Sequence, residues 1–335
     1  MRAAVTESAG GLLAVTDVPD PEPGPGELLV RVTACGLCGS DLHLSEVLDL
    51  PGLVLGHEIC ATVAELGQGV NDWKVGERIV GFPLIGCETC DACRSGATSK
   101  CSQAAQLGLA RPGGFAEYTT LSASSAFRIP TSIDDHIGAL VEPLAVAHHA
   151  LDCTPRATDE PILIIGGGPV GAAVAAWARH LGAREVVVSD PVARRRELAE
   201  HLGATLTIDP IKEDVASAFA KQCGALPNVV LECVGTRGMI QHSMDVAAVD
   251  AQVTVVGVCI GPDDFMPLVG LQKELLTKFV LYYRKADFTA TIAALASGAL
   301  DPRPMVTGTT SFEDLPDRFE ALKNPVDDCK VILEP

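Results

Sequence analysis

The stretch CGLCGSDLH, Cys35 to His43, carries a thiol (Cys38), a hydroxyl (Ser40) and an imidazole (His43) within six positions. Glycines beside Cys38 let the backbone turn sharply and approach something closely. The fragment GHE follows at Gly56 to Glu58. Cysteine, histidine and glutamate are the ligand types of a zinc ion that keeps an open position. Cys38, His57 and Glu58 are therefore read as a catalytic zinc centre, with Ser40 and His43 beside it as proton-handling groups. Successive strand residues face opposite sides, so His57 and Glu58 reach one ion only through a local bend, unless one of them acts from behind the ligands.

Two further groups could do chemistry. GCETCDACRSGATSKC, residues 86–101, places Cys87, Cys90, Cys93 and Cys101 at the spacing C-x2-C-x2-C-x7-C. Each C-x2-C step lets two sulfurs converge, and four thiolates complete a closed tetrahedral shell. Such a zinc has no open position, so it holds a lobe together and does no chemistry. An iron–sulfur cluster uses similar runs, and four free thiols so close together would oxidise readily. Glu142 lies in the apolar run GALVEPLAV. A buried carboxylate needs a partner or a metal; the competing reading is a cap for a helix beginning at Pro143.

The third group is GGGPVG. Gly166, Gly168 and Gly171, with Pro169 and Val170 between them, follow the continuous apolar strand PILIIG and open an alanine-rich helix. Asp190 comes about 20 residues on, as a dinucleotide site requires. The glycines admit a pyrophosphate to a helix N-terminus. The carboxylate of Asp190 suits the two ribose hydroxyls of NAD and repels a 2′-phosphate. Arg194, Arg195 and Arg196 complicate that choice; otherwise they form an exposed first helical turn, with Arg195 near the adenine.

The elements that must position these groups follow from local pattern. LLVRVTA alternates and is β-branched, which predicts a strand leading into Cys35. Ser40 precedes DLHLSEVL, whose spacing is helical, and is expected to be its N-cap. Residues 131–152 predict helical stretches broken at Pro143. After residue 160 the segments ATLTID, NVVLECVG and QVTVVGV, and a last strand near KFVLYY, alternate with helices and predict a doubly wound parallel sheet.

The totals set bounds on all this. A chain of 335 residues with 47% hydrophobic content supports two domains with real cores. A net charge of −18 excludes the basic footprint of a nucleic-acid binder. No apolar run is long enough for a bilayer, and MRAAVTESAG lacks a secretory core, so a cytoplasmic protein with no membrane or nucleic-acid partner is expected. Disulfides would be unusual there; the scattered cysteines are read as small buried hydrophobes.

Taken in order, CGLCGSDLH, GHE, GERIVG, the four-cysteine lobe, VEPLAV and GGGPVG with Asp190 resemble the zinc-dependent medium-chain alcohol and polyol dehydrogenase superfamily, over nearly the whole chain. The resemblance implies an α/β fold: a GroES-like β-rich catalytic domain at 1–150 and 286–335, including the lobe 86–101, and a Rossmann NAD-binding domain at 151–285, with the active site in the cleft between them. It implies that Cys38 and His57 ligate catalytic zinc and that Glu58 is a movable glutamate. Glu142 stands where the alcohol dehydrogenase branch has a ligand cysteine, which points toward the sorbitol and butanediol branch; which glutamate ligates stays open. Lys330 matches a basic residue near the cofactor pyrophosphate. Cys233 and Val234, and Val256 and Val258, match strand ends lining the adenine ribose and the nicotinamide. The implied reaction moves hydride between a secondary alcohol or diol and NAD, with Ser40 passing the hydroxyl proton through the cofactor ribose to His43. A homodimer or homotetramer through the sheet edge of the inserted domain is also implied. Leu48, Leu50, Leu109 and Leu271 are expected pocket liners, which with few aromatics suits a moderately bulky, partly apolar secondary alcohol or a diol as the small-molecule alcohol or ketone substrate. Reduction of an activated C=C bond and a non-catalytic zinc-binding interaction protein are the alternatives.

Overall fold

Strand-forming alternation is strongest in ELLVRVTACG and EICATVAEL, and these segments, Glu27–Gly36 and Glu58–Leu66, pair antiparallel at the centre of a seven-stranded sheet. The computed structural model describes residues 1–7, 11–47, 50–323 and 328–335. The chain divides into two units: Met1–Glu142 with Tyr283–Ser297 and Val306–Pro335, and Pro143–Tyr282 with Gly298–Met305.

In the first unit the sheet runs in the order Val306–Thr310, Lys330–Leu333, Glu27–Gly36, Glu58–Leu66, Arg78–Gly81, Ala126–Arg128, with Tyr118–Ser122 also on Glu27–Gly36. Its inward side chains, among them Leu28, Val30, Val32, Ile59, Ala61 and Val63, are buried with Phe115, Phe312 and Phe319. Register matters for function. Gly36 faces Glu58 on one side and Ile332 on the other, so the end of Glu27–Gly36 meets both the GHE fragment and the C-terminal strand.

Two local expectations need correction. Ser40 is not the N-cap: the helix is Gly39–Val47, and the Cys38 carbonyl accepts the first helical bonds from Asp41 and Leu42. The capping carboxylate is Asp41, whose Oδ2 accepts the Cys38 amide at 3.1 Å, which is one half of a capping box. The break in 131–152 falls at Leu140, between helices Asp135–Ala139 and Val141–Asp152. Pro143 sits in the first turn of the second, where a missing N–H costs nothing, and Glu142 precedes it inside the helix rather than capping it.

The second unit holds a six-stranded, all-parallel sheet in the order Leu206–Ile208, Val186–Ser189, Ile162–Ile165, Val229–Glu232, Gln252–Val255, Leu276–Phe279. Its four inner strands are buried at every position, as continuous apolar runs in a parallel sheet should be. The strand order reverses at Ile162–Ile165, the switch point where such sheets bind ligands. The last strand, expected near KFVLYY, ends at Phe279. Tyr282 takes φ +61°, which a strand cannot continue through, and Tyr283 belongs to the first unit. Among the described residues no helix is long and apolar enough to cross a membrane.

Candidate active site

Cys38 and the GHE fragment are brought together by Asp41. Its Oδ2 accepts the Cys38 amide, its Oδ1 accepts the Gly56 amide at 3.3 Å, and the same Oδ1 lies 3.2 Å from His57 Nδ1. Asp41 is buried, so these bonds are little weakened by water. A carboxylate only accepts, so His57 Nδ1 donates to Asp41, and Nε2 is the nitrogen left for a metal, which would bind it after it gives up its proton. Burial works against a charged His57, but the adjacent Asp41 outweighs it and holds the ring well above the usual histidine range.

The bend that His57 and Glu58 require is present. Gly56 adopts φ +91°, and a Cβ there would meet the Phe115 ring at 2.5 Å, so only glycine serves. His57 precedes the strand and Glu58 begins it, which frees the two side chains from the alternation of a regular strand. Cys38 Sγ, a His57 ring nitrogen and a Glu58 carboxylate oxygen consequently lie within 4.8 Å of one another.

Glu58 is fully buried. Its Oε1 takes the ammonium of Lys330, which also donates to the Leu37 carbonyl at 3.3 Å. Burial lowers the Lys330 pKa, but the Glu58 charge outweighs it, so the net direction is upward. Lys330, expected at a pyrophosphate, thus has two of its three donors on groups of the metal site. Glu58 Oε2 has no partner among the described residues. A thiol, an imidazole and a buried carboxylate with one orphaned oxygen are a donor set that fits zinc.

Glu142 lies outside that threesome. It is buried, and its Oε1 accepts the Tyr283 hydroxyl at 2.6 Å. Burial raises its pKa; the charge of His57 opposes the shift and that of Glu58 adds to it. Ser40 Oγ donates to Cys38 Sγ at 3.2 Å, and His43 is exposed on the same helix.

The sulfurs of Cys87, Cys90, Cys93 and Cys101 also lie within 4.8 Å of one another; tetrahedral zinc sets sulfurs about 3.8 Å apart, given Zn–S bonds of about 2.3 Å. Amides of Cys93 and Gln103 donate to Cys90 and Cys101 sulfurs at 3.4 Å each. The Thr89 hydroxyl and amide draw Cys87 down to about 6, while burial and the neighbouring sulfurs push Cys93 up to about 12. Four thiols this close do not all ionise without a cation, so this set fits a closed structural zinc.

In the second unit Gly168 caps the helix Pro169–His180, whose first turn includes Val170 and Gly171. A Cβ on Gly171 would fall 1.8 Å from the Gly166 carbonyl oxygen, which is the close helix–strand packing of a dinucleotide turn. Asp190 follows the neighbouring strand Val186–Ser189; its oxygens accept the Gly167 amide at 2.8 Å and the Val192 amide at 2.7 Å. Each oxygen keeps a lone pair for a ribose hydroxyl. Arg195 Nη1 lies 3.6 Å from Asp190, Arg196 pairs with Asp209, and Arg194 is exposed. Cys233 and Val256 are buried, whereas Val234 and Val258 are exposed at the strand ends.

Pattern reading missed three residues here. Asp41 was masked by its chemically richer neighbours, although an acid at the third helical position is a capping signal. Glu232, buried at the end of its strand, accepts the Val234 and Gly235 amides at 2.7 and 2.9 Å and shapes that loop; a glutamate inside NVVLECVG was the available clue. Tyr283 had no local signal. Of the expected pocket liners, Leu50 and Leu271 are exposed and Leu109 is half-buried; Leu48 lies outside the described residues.

A β-rich unit carrying a sulfur–nitrogen–oxygen centre and a four-cysteine lobe, with a parallel-sheet dinucleotide unit, defines a metal-dependent dehydrogenase. The chain matches the family described as alcohol dehydrogenase GroES-like domain over residues 24–131 and that described as zinc-binding dehydrogenase over residues 169–297. It is 33% identical to an L-threonine 3-dehydrogenase of Deinococcus deserti, over 98% of this chain and 97% of the relative. It is also 33% identical to a 2-dehydro-3-deoxy-L-galactonate 5-dehydrogenase of Pseudoalteromonas atlantica, over 93% of this chain and 92% of the relative. A solved structure of a putative zinc-binding dehydrogenase from Sinorhizobium meliloti, bound to NADP, superposes with a TM-score of 0.90 at 35% identity, covering 100% and 99% of the two chains. The chain belongs to the zinc-dependent medium-chain dehydrogenase superfamily and is an oxidoreductase. Neither C=C reduction nor a non-catalytic zinc module is favoured by that membership.

Proposed function

We propose that this enzyme transfers hydride between the hydroxyl-bearing carbon of a secondary alcohol, diol or polyol and NAD. One observation carries the reading: Cys38, His57 and Glu58 converge within 4.8 Å while Glu58 Oε2 stays buried without a partner. Zinc held there supplies Lewis acidity that eases loss of a hydroxyl proton, and a nicotinamide supplies the hydride acceptor. Cys38, His57 and Glu58 would hold the metal, and Asp41 and Lys330 orient two of these groups. Ser40 Oγ, hydrogen-bonded to Cys38 Sγ, would accept the hydroxyl proton as it gives up its own, and the exposed His43 would return a proton to water. Gly166, Gly168 and Gly171 admit the pyrophosphate, and Asp190 accepts from the ribose hydroxyls. NAD is preferred because a carboxylate at Asp190 would accept from ribose hydroxyls and repel a 2′-phosphate; the NADP in the Sinorhizobium neighbour makes Arg194 and Arg195 the groups to watch. Substrate class follows from relatives named for a hydroxy amino acid and a sugar acid.

A second copy of the chain is the proposed partner. The edge strand Leu276–Phe279 exposes Leu276 and Phe279, with Leu281, and Leu268 and Leu271 of the helix Pro267–Lys273 are exposed as well. An unpaired apolar edge invites another strand. Twelve free cysteines fit a reducing, cytoplasmic setting. Metal analysis should find two zinc ions per chain, and a panel of secondary alcohols and diols should produce NADH with NAD ahead of NADP. One zinc per chain, or no turnover of any secondary alcohol, refutes the proposal.

A further inference from the structure

We propose that Glu232 is a positioning residue: it fixes the turns at 233–235 and 256–258 as one preformed wall for the nicotinamide half of the dinucleotide. The proposal rests on the reading above that a dinucleotide binds at the glycine turn of the second unit. Glu232 ends the strand Val229–Glu232 and is 1% exposed. Its Oε1 accepts the Val234 amide at 2.7 Å and the Gly235 amide at 2.9 Å. Its main-chain carbonyl accepts the Val256 amide at 2.8 Å and the Gly257 amide at 2.9 Å. One residue thus holds both turns, the first through its side chain and the second through its backbone. The turns also touch each other. A Cβ on Gly257 would fall 2.2 Å from the Gly235 nitrogen and 2.7 Å from Glu232 Oε2, and one on Gly235 would fall 2.5 Å from the Val258 nitrogen.

The wall adjoins the glycine turn. The Cys233 amide donates to the Ile165 carbonyl at 2.8 Å, and a Cβ on Gly166 would meet Val234 Cγ2 at 2.7 Å. Strand order places Asp190 on one side of that turn, after Val186–Ser189, and the wall on the other, after Val229–Glu232 and Gln252–Val255. A dinucleotide crosses such a sheet where the strand order reverses. With the adenosine ribose at Asp190 and the pyrophosphate at the glycine turn, the side left for the nicotinamide half is that of 233–235 and 256–258. Cys233 and Val256 are buried there, while Val234 and Val258 are 41% and 48% exposed. Two apolar side chains therefore stand open on backbone that Glu232 holds still. A surface fixed before binding loses less conformational entropy when its ligand arrives.

The test compares wild type, Glu232→Asp and Glu232→Gln as full-length, zinc-loaded protein. Aspartate keeps the charge but is one methylene shorter, so it no longer reaches the Val234 and Gly235 amides. Glutamine keeps the length and an oxygen that accepts both. Glu232→Asp should bind NADH, followed by its fluorescence, about tenfold more weakly. Glu232→Gln should bind it close to wild type. ADP lacks the nicotinamide half, so in Glu232→Asp it should lose less affinity than NADH does. Amide hydrogen exchange adds a measurement on wild type alone: the Val234 and Gly235 amides should exchange slowly before NADH is added as well as after. That measurement decides the matter if Glu232→Asp fails to fold. The role of Glu232 is overturned by wild-type NADH affinity in a folded Glu232→Asp, or by Glu232→Gln binding as weakly as Glu232→Asp. Equal losses for ADP and NADH, or fast exchange at Val234 and Gly235 without nucleotide, overturn it as well. Wild type that binds neither NADH nor NADPH overturns the underlying reading, and this inference with it.

Discussion

Replacing Lys330 by methionine probes the pairing on which the metal site is built. Lys330 and Glu58 are 2% and 0% exposed, and the ammonium is the partner of Glu58 Oε1. Methionine keeps much of the stem's volume and removes the charge. Glu58 is then a buried carboxylate with neither oxygen satisfied, since Oε2 already lacks a partner among the described residues. Breaking a buried ion pair on one side costs about 3–5 kcal/mol. Removing both charges avoids the uncompensated one, so adding Glu58→Gln should restore about 0.5–3 kcal/mol. With zinc bound, Glu58 gains a second cationic partner, and the loss in Lys330→Met should shrink. Urea unfolding of metal-free and zinc-loaded protein measures this. Trp73 lies in the first unit and Trp177 in the second, so a Trp177→Phe background lets Trp73 fluorescence report on the first unit. A loss below about 1 kcal/mol in metal-free protein, or a larger loss with zinc than without, refutes the argument from unpaired buried charge.

Three further outcomes are expected. Asp41→Asn loosens the carboxylate that ties Cys38, Gly56 and His57 together, so catalytic-zinc affinity should fall about 10–100-fold in chelator competition; an unchanged affinity counts against Asp41 as organiser. Gly36→Ala would put a Cβ 1.9 Å from Glu58 Oε2, so metal analysis should show one zinc lost and the lobe zinc kept; two zincs per chain would contradict the placement of Glu58. The Asp135 carboxyl is pushed up by burial and pulled down further by Arg78, which leaves it below its usual value of 3.8. A lowered folded-state pKa gives stability that is full above the unfolded value and lost as pH falls through the folded one. For this partly exposed pair, about 0.2–1 kcal/mol should separate wild type from Asp135→Asn at pH 7, shrink once pH falls below 3.8 and vanish when pH has passed the lowered folded-state value; a gap that persists after the carboxyl is protonated would show that the ion pair is not its source.

The lobe and the dinucleotide turn were legible because their chemistry is local. Cysteines separated by two or seven residues converge through short turns, and Gly166, Gly168 and Gly171 act on backbone next to them. The pairing of Cys38 with His57 was legible from residue type, but the way Gly56 bends the chain so that Glu58 joins them depends on Phe115, which the fold brings in from elsewhere. Ser40 is not the cap because the helix begins one residue earlier, at Gly39, where Asp41 accepts the Cys38 amide and the Ser40 hydroxyl turns to the Cys38 sulfur.

Residue types and spacings determined two candidate metal sets, a dinucleotide-type glycine turn and the order of strands and helices in the second unit. Tertiary structure alone decided which glutamate stands with Cys38 and His57, because the choice is made by distant partners. Lys330 reaches Glu58 across 272 positions and Tyr283 reaches Glu142 across 141. Sheet register and aromatic packing set those meetings, and neither is written in the residues flanking a carboxylate.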